Sequence, residues 1–172
     1  MSLHPEVEAI LAAMSEAMPA VDFEQLNAEA LRSSMDMPAA EDPEPVYQVE
    51  DRSIEGPGGP LPLRVYRSSD AEDAPLLVFF HGGGFVIGNL ETHDGLCRSL
   101  CNEARATVVA VDYRLAPEHK YPAAPLDCYA ATCWAAEHAG EFGATANKLV
   151  VGGDSAGGCL AAVVSQMLRV IS

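Results

Sequence analysis

Five residues, Gly153-Asp154-Ser155-Ala156-Gly157, follow the apolar run Leu149-Val150-Val151 and lead into a second, longer apolar stretch. A chain that must turn from a buried strand into a helix within so short a span has few conformations open to it. Glycines at 153 and 157 remove the Cβ atoms that would clash in such a bend. The central serine then sits on a strained turn with its hydroxyl held clear of the sheet, in the manner of a nucleophile elbow. Ser155 is the candidate nucleophile. Asp154 beside it is a candidate support that orients the bend through hydrogen bonds. A small-residue turn without chemistry would carry the same glycines.

The remaining pattern predicts an α/β layered fold. Residues 76–80 and 108–111 are apolar without alternation, as in strands buried on both faces of a parallel sheet. Residues 46–54 and 61–67 alternate and read as two strands around a turn over 56–60, with Pro62 suited to an edge strand. Helical character falls over about 92–105, 123–139 and 156–170. Upstream, Val7, Ile10, Leu11, Met14 and Met18 recur at helical spacing over 5–18, until Pro19. Asp22 caps a second helix, with Gln25 three residues on. Pro38, Pro43 and Pro45 then form a linker. The boundary falls at 45, giving N-terminal helices over 1–45 and a layered core over 46–172.

Charge excludes some partners. The net charge is −15, and residues 1–55 hold 13 acidic side chains against two basic ones. Phosphate backbones and anionic membranes would be repelled, so neither nucleic acid nor a membrane is expected as partner. No basic segment precedes an apolar run at the N-terminus and no apolar stretch reaches membrane-spanning length, which predicts a cytoplasmic protein. The five cysteines (Cys97, Cys101, Cys128, Cys133 and Cys159) are odd in number and lack a C-x-x-C pair. They read as reduced, mostly buried thiols, with no metal site.

His81-Gly82-Gly83-Gly84-Phe85 follows the first fully apolar strand. Acyl transfer needs backbone N–H donors aimed at a developing oxyanion, and glycines let the backbone approach closely. Gly83, Gly84 and Ala156 would donate, with Gly82 shaping the loop. A phosphate cradle would use similar glycines, but no Gly-Lys-Ser/Thr is present. These stretches, with Asp112-Tyr113-Arg114-Leu115-Ala116-Pro117-Glu118-His119 and Tyr121-Pro122-Ala123-Ala124, closely resemble the hormone-sensitive-lipase-like group of α/β-hydrolase carboxylesterases.

The resemblance implies an α/β-hydrolase fold, here the N-terminal half of its mostly parallel central sheet, with residues 1–45 in a cap over the acyl pocket. It implies an oxyanion hole at Gly82, Gly83, Gly84 and Ala156, and attack by Ser155 on small-molecule esters of short to medium acids. It implies no metal or organic cofactor. In that group the acid and the His follow later strands, whereas no Asp, Glu or His lies between Ser155 and Ser172. Weak or absent activity of this polypeptide alone is therefore expected. The strand at 148–152 becomes an edge and the last helix, apolar nearly all round, should be buried. Self-association, or association with the missing C-terminal half, is expected. His81 supports the glycine loop, with a role as base the alternative. His119 reads as a loop brace, and His4, His93 and His138 as ordinary surface or helix residues. Asp112, Tyr113 and Arg114 read as a structural ion pair or turn-locking network. The rival reading is a non-catalytic assembly or binding module that keeps the elbow as architecture.

Overall fold

The alternating stretch folds back on itself. β1 (Gln48–Gly56) and β2 (Gly59–Arg67) form an antiparallel hairpin in register from Gln48↔Arg67 to Gly56↔Gly59. The structure, a computed structural model, describes residues 3–17, 27–35 and 42–171. The sheet order is β1-β2-β4-β3-β5, with β3 (Ala74–Phe80), β4 (Thr107–Val111) and β5 (Ala144–Gly153). β3 runs parallel to both β4 and β5, as the unbroken apolar runs predict, while β2 meets β4 antiparallel. The sheet is therefore mixed.

Pro62 does not lie on an edge, because β2 is flanked by β1 and β4. One residue's N–H and C=O point to the same side of a strand. The Pro62 carbonyl accepts the Asp112 amide at 3.1 Å, beyond the last β2–β4 partners, Leu63↔Val111. The proline nitrogen faces the same side, at the very end of the β2–β4 ladder, where its missing N–H forgoes only a single terminal bond to the Asp112 carbonyl.

Helices cover both faces. α4 (Ala123–Glu137) and α5 (Ala156–Ile171) bury Val78, Phe80, Val109 and Val111 together with Cys128, Ala131, Leu160 and Val164. α3 (Asp94–Ala104) covers the other face, where Phe79, Val108 and Ala110 pack with Cys97 and Cys101. Each such valine or leucine contributes about 1.5–3 kcal/mol by leaving water. Trp134 lies at the margin of this core, stacked on His138 at 4.7 Å and near Phe142.

α5 departs from expectation. Leu160 and Val164 are buried, but Val163 and Val170 are 44% and 84% exposed. Among the described residues, only one face of the helix is covered. β5 likewise pairs on one side alone among the described residues, leaving Val150 exposed along an open edge.

The N-terminal segment contributes α1 (Pro5–Ala17), with Val7, Ile10 and Leu11 exposed, and α2 (Ala28–Met35). Asn27 caps α2, its Oδ1 accepting the Ala30 amide at 2.7 Å. The Asp22 cap inferred from sequence lies outside the described residues. Arg32 fixes α2 to the core by donating to the carbonyls of Val86 and Ala116 and to the carboxylate of Glu118, at 2.8–2.9 Å. That pairing holds the Glu118 carboxyl down at about 2.

Candidate active site

Phe80 and Gly153 are register partners at the carboxyl ends of β3 and β5. The glycine loop and the elbow therefore leave the sheet side by side. Their backbones touch. A Cβ on Gly157 would overlap the Phe80 carbonyl oxygen and lie 2.8 Å from the His81 oxygen. The elbow closes when Gly157 donates to the Asp154 carbonyl at 2.7 Å, and Cys159 donates to the Ser155 carbonyl at 3.2 Å in the first turn of α5. Ser155 is exposed with φ = 50°, a left-handed conformation that costs a non-glycine residue about 1–2 kcal/mol.

Gly83 has φ = 121°, and a Cβ there would lie 2.6 Å from the Ile87 carbonyl carbon. Its carbonyl accepts from Val86 and Ile87, both at 3.0 Å, which curls the loop. The Gly82 amide is spent on Asp154 Oδ1 at 2.8 Å. The amides of Gly83, Gly84 and Ala156 have no acceptor among the described residues. Unspent amides at a loop and a helix N-terminus suit a developing negative charge.

His81 is buried beneath this loop. Its Nδ1 lies 2.7 Å from the Gly82 carbonyl, which can only accept, so Nδ1 carries the proton. The ring stacks on Tyr113 at 4.3 Å, and the Tyr113 hydroxyl donates to the His81 carbonyl at 2.7 Å. Burial holds the His81 pKa below its ordinary value. Its Nε2 is buried without a hydrogen-bond partner among the described residues.

His93, an ordinary surface or helix residue by sequence, has its Nε2 3.3 Å from Asp154 Oδ1. No spacing marked it; only the return of the loop from β3 across the end of the sheet brings it there. Among the described residues, no histidine is hydrogen-bonded to the Ser155 hydroxyl. His119 is exposed in its loop, His138 caps the end of α4 against the Trp134 carbonyl, and His4 is exposed beside Glu6.

Arg114 is an ion-pair partner as expected, but its carboxylate is Asp127 of α4, which the sequence did not mark. The Asp127 carboxylate, 1% exposed, accepts from the Arg114 amide, Nε and Nη2 at 2.8–3.1 Å. An apolar cavity of about 410 Å³ lies between the glycine loop and α5, lined by Gly84, Phe85, Tyr121, Cys159, Leu160 and Val163. Burial pushes the Cys97 thiol up to about 12 and Cys101 to about 11, so neither is a nucleophile at neutral pH. No group of three His, Cys, Asp or Glu side chains suited to a metal occurs among the described residues. No described helix is long and apolar enough to cross a membrane.

Comparison with known proteins bears on the family and the fold. Residues 77–171 match a family described as having the alpha/beta hydrolase fold. Esterase LipI of Mycobacterium tuberculosis is 46% identical over 169 residues, which covers 96% of this chain and 52% of that protein. The arylesterase of Saccharolobus solfataricus is 37% identical over 171 residues, 98% of this chain and 56% of its own. The solved esterase of the archaeon Pyrobaculum calidifontis superposes with a TM-score of 0.86 at 42% identity, covering 98% of this chain and 55% of that one. The chain thus spans about half the length of these relatives.

Proposed function

Because the chain belongs to this family with the alpha/beta hydrolase fold, we propose that it carries the nucleophile side of a carboxylic ester hydrolase site. One observation supports this above others: the strained Ser155 stands beside a loop whose Gly83 and Gly84 amides, with that of Ala156, are unspent. Ser155 Oγ would attack the ester carbonyl carbon and give its proton to solvent water. The oxygen that gains charge would be received by the three amides, the alcohol would leave with a proton, and water would release the acid. Gly82 and His81 shape the cradle rather than donate into it. The chemistry asks for no metal or organic cofactor. The apolar cavity beside Gly84 suits the carbon chain of a short to medium acyl ester.

A serine hydroxyl without a base is a weak nucleophile. With only the amide cradle and binding, a site of this kind retains about 10³–10⁴-fold acceleration over water. Turnover by this polypeptide alone is therefore weak. Residues 1–45 are read as a cap segment that Arg32 anchors. The open edge of β5 and the uncovered face of α5 support association, with another copy or with a segment equivalent to the rest of the longer relatives. Buried free thiols suit a reducing compartment such as the cytoplasm. The rival reading, an assembly module without catalysis, draws on the same open edge.

Stoichiometric labelling by a fluorophosphonate separates the two readings. The ester-hydrolase reading expects slow labelling, as a serine without a base requires, that climbs to one label per chain, on Ser155, and is lost in Ser155→Ala. Labelling that survives in Ser155→Ala, or none on the folded chain even after prolonged exposure to excess reagent, ends it.

A further inference from the structure

Asp154 is held from two sides. Its Oδ1 accepts the Gly82 amide at 2.8 Å and lies 3.3 Å from Nε2 of His93. His93 sits just ahead of α3, its side chain 19% exposed and its ring 5.5 Å from that of His81 and 6.2 Å from that of Phe79. Its other nitrogen, Nδ1, lies 2.9 Å from Thr92 Oγ1. That oxygen accepts the Asn89 amide at 3.0 Å and lies 2.9 Å from the Asn89 carbonyl.

A hydroxyl has one proton to give. If Thr92 gives it to the Asn89 carbonyl, Nδ1 of His93 must donate to Oγ1, and Nε2 either carries a proton as well or is bare. If Thr92 gives it to Nδ1, the ring is neutral and its proton sits on Nε2. The remaining arrangement, with Nε2 bare, sets a lone pair against a carboxylate. Both favourable arrangements therefore place a proton on Nε2, which approaches Asp154 Oδ1 to 3.3 Å as an electrostatic contact rather than an aligned hydrogen bond.

We propose that His93 is a positioning residue for the glycine loop. By electrostatic contact through Nε2 it holds the Asp154 carboxylate, and Asp154 fixes Gly82, so that Gly83 and Gly84 present their amides together. The consequence for reactivity rests on the reading of Ser155 as nucleophile; the tie to Gly82 does not.

The test uses the whole chain labelled with ¹⁵N and ¹³C. Long-range ¹⁵N–¹H spectra locate a proton on His93 Nε2, and the Gly82 amide resonates downfield. In His93→Ala the Gly82 amide moves upfield and exchanges about tenfold faster, because a charge-assisted bond has lost its support. The amides of Val78 and Val109 in the core keep their rates. His93→Gln, whose side-chain N–H reaches a similar position, restores Gly82. Labelling of Ser155 by a small fluorophosphonate follows the same order, about tenfold slower in His93→Ala and recovered in His93→Gln. An unmoved Gly82 amide in His93→Ala overturns the proposal. So does an equal acceleration of Gly82, Val78 and Val109, which would make His93 a contributor to global stability only. If Ser155 of the unaltered chain takes no label, the nucleophile reading falls and the Gly82 amide still decides the role of His93.

Discussion

The amide of Gly82 donates to the carboxylate of Asp154 across 2.8 Å, although 72 residues separate them in sequence. Two loops that share a sheet end are thereby joined a second time, outside the sheet. The bond also assigns the glycines different duties. Gly82 is committed to the elbow, which leaves its two successors open.

Close backbone approach predicts unequal tolerance among these glycines. In Gly157→Ala the new methyl meets the carbonyl groups of Phe80 and His81, and neither backbone can yield without parting β3 from the elbow. A loss of about 3 kcal/mol or more is expected in denaturant titrations. In Gly84→Ala nothing lies within 4 Å and only the left-handed φ of 60° is strained. That change should cost about 1–2 kcal/mol. Equal losses in the two variants would contradict the packing described.

The Arg114–Asp127 lock predicts a large single-variant effect. Removing the guanidinium in Arg114→Met leaves a carboxylate that is 1% exposed without its charged partner. The expected loss is about 3–5 kcal/mol. The double variant Arg114→Met/Asp127→Leu should recover much of it, since no buried charge remains. A double-mutant cycle checks this, and additive losses would mean that the pair is not coupled.

Arg32 predicts a local effect instead. Its guanidinium donates to two carbonyls and one carboxylate on segments far apart in sequence. Arg32→Ala should raise hydrogen exchange in α2 and lower stability by about 1–2 kcal/mol, leaving β3 and β4 protected. Arg32→Lys should not restore α2, because an ammonium cannot span the three acceptors.

His81 predicts a pH dependence. Burial lowers its pKa in the folded chain, so the unfolded chain binds more protons at acidic pH. Its contribution is present above the unfolded value of about 6.5 and declines as pH falls below it. Denaturant midpoints between pH 8 and pH 5 should fall on the acid side, and more steeply than in His81→Asn. Parallel curves for the two proteins would show that His81 does not titrate with folding.

Much of this was legible in the sequence, because the deciding constraints were local. Apolar runs at 76–80 and 108–111 marked inner strands, and glycines at 153 and 157 marked a bend that only small residues permit. Pro62 misled because proline's aversion to inner strands depends on where along the ladder its nitrogen falls, a property of register that propensity does not carry. His93 went unnoticed for a related reason: a single histidine between Thr92 and Asp94 gains meaning only when the loop crosses the sheet to Asp154. The coverage of α5 could not be judged from its own residues, since burial depends on what packs against a helix.

The pairing of Phe80 with Gly153 sets a tolerance for everything built above it. A slip of one residue between the two strands would shift one loop past the other by about 3.3 Å and turn every side chain of the slipped strand to the opposite face. Errors of that kind cannot be small. Alignment at the mouth of the sheet is therefore inherited from the same apolar contacts that fold it, and a chain able to bury Val78 and Phe80 correctly has already brought its distant loops into line.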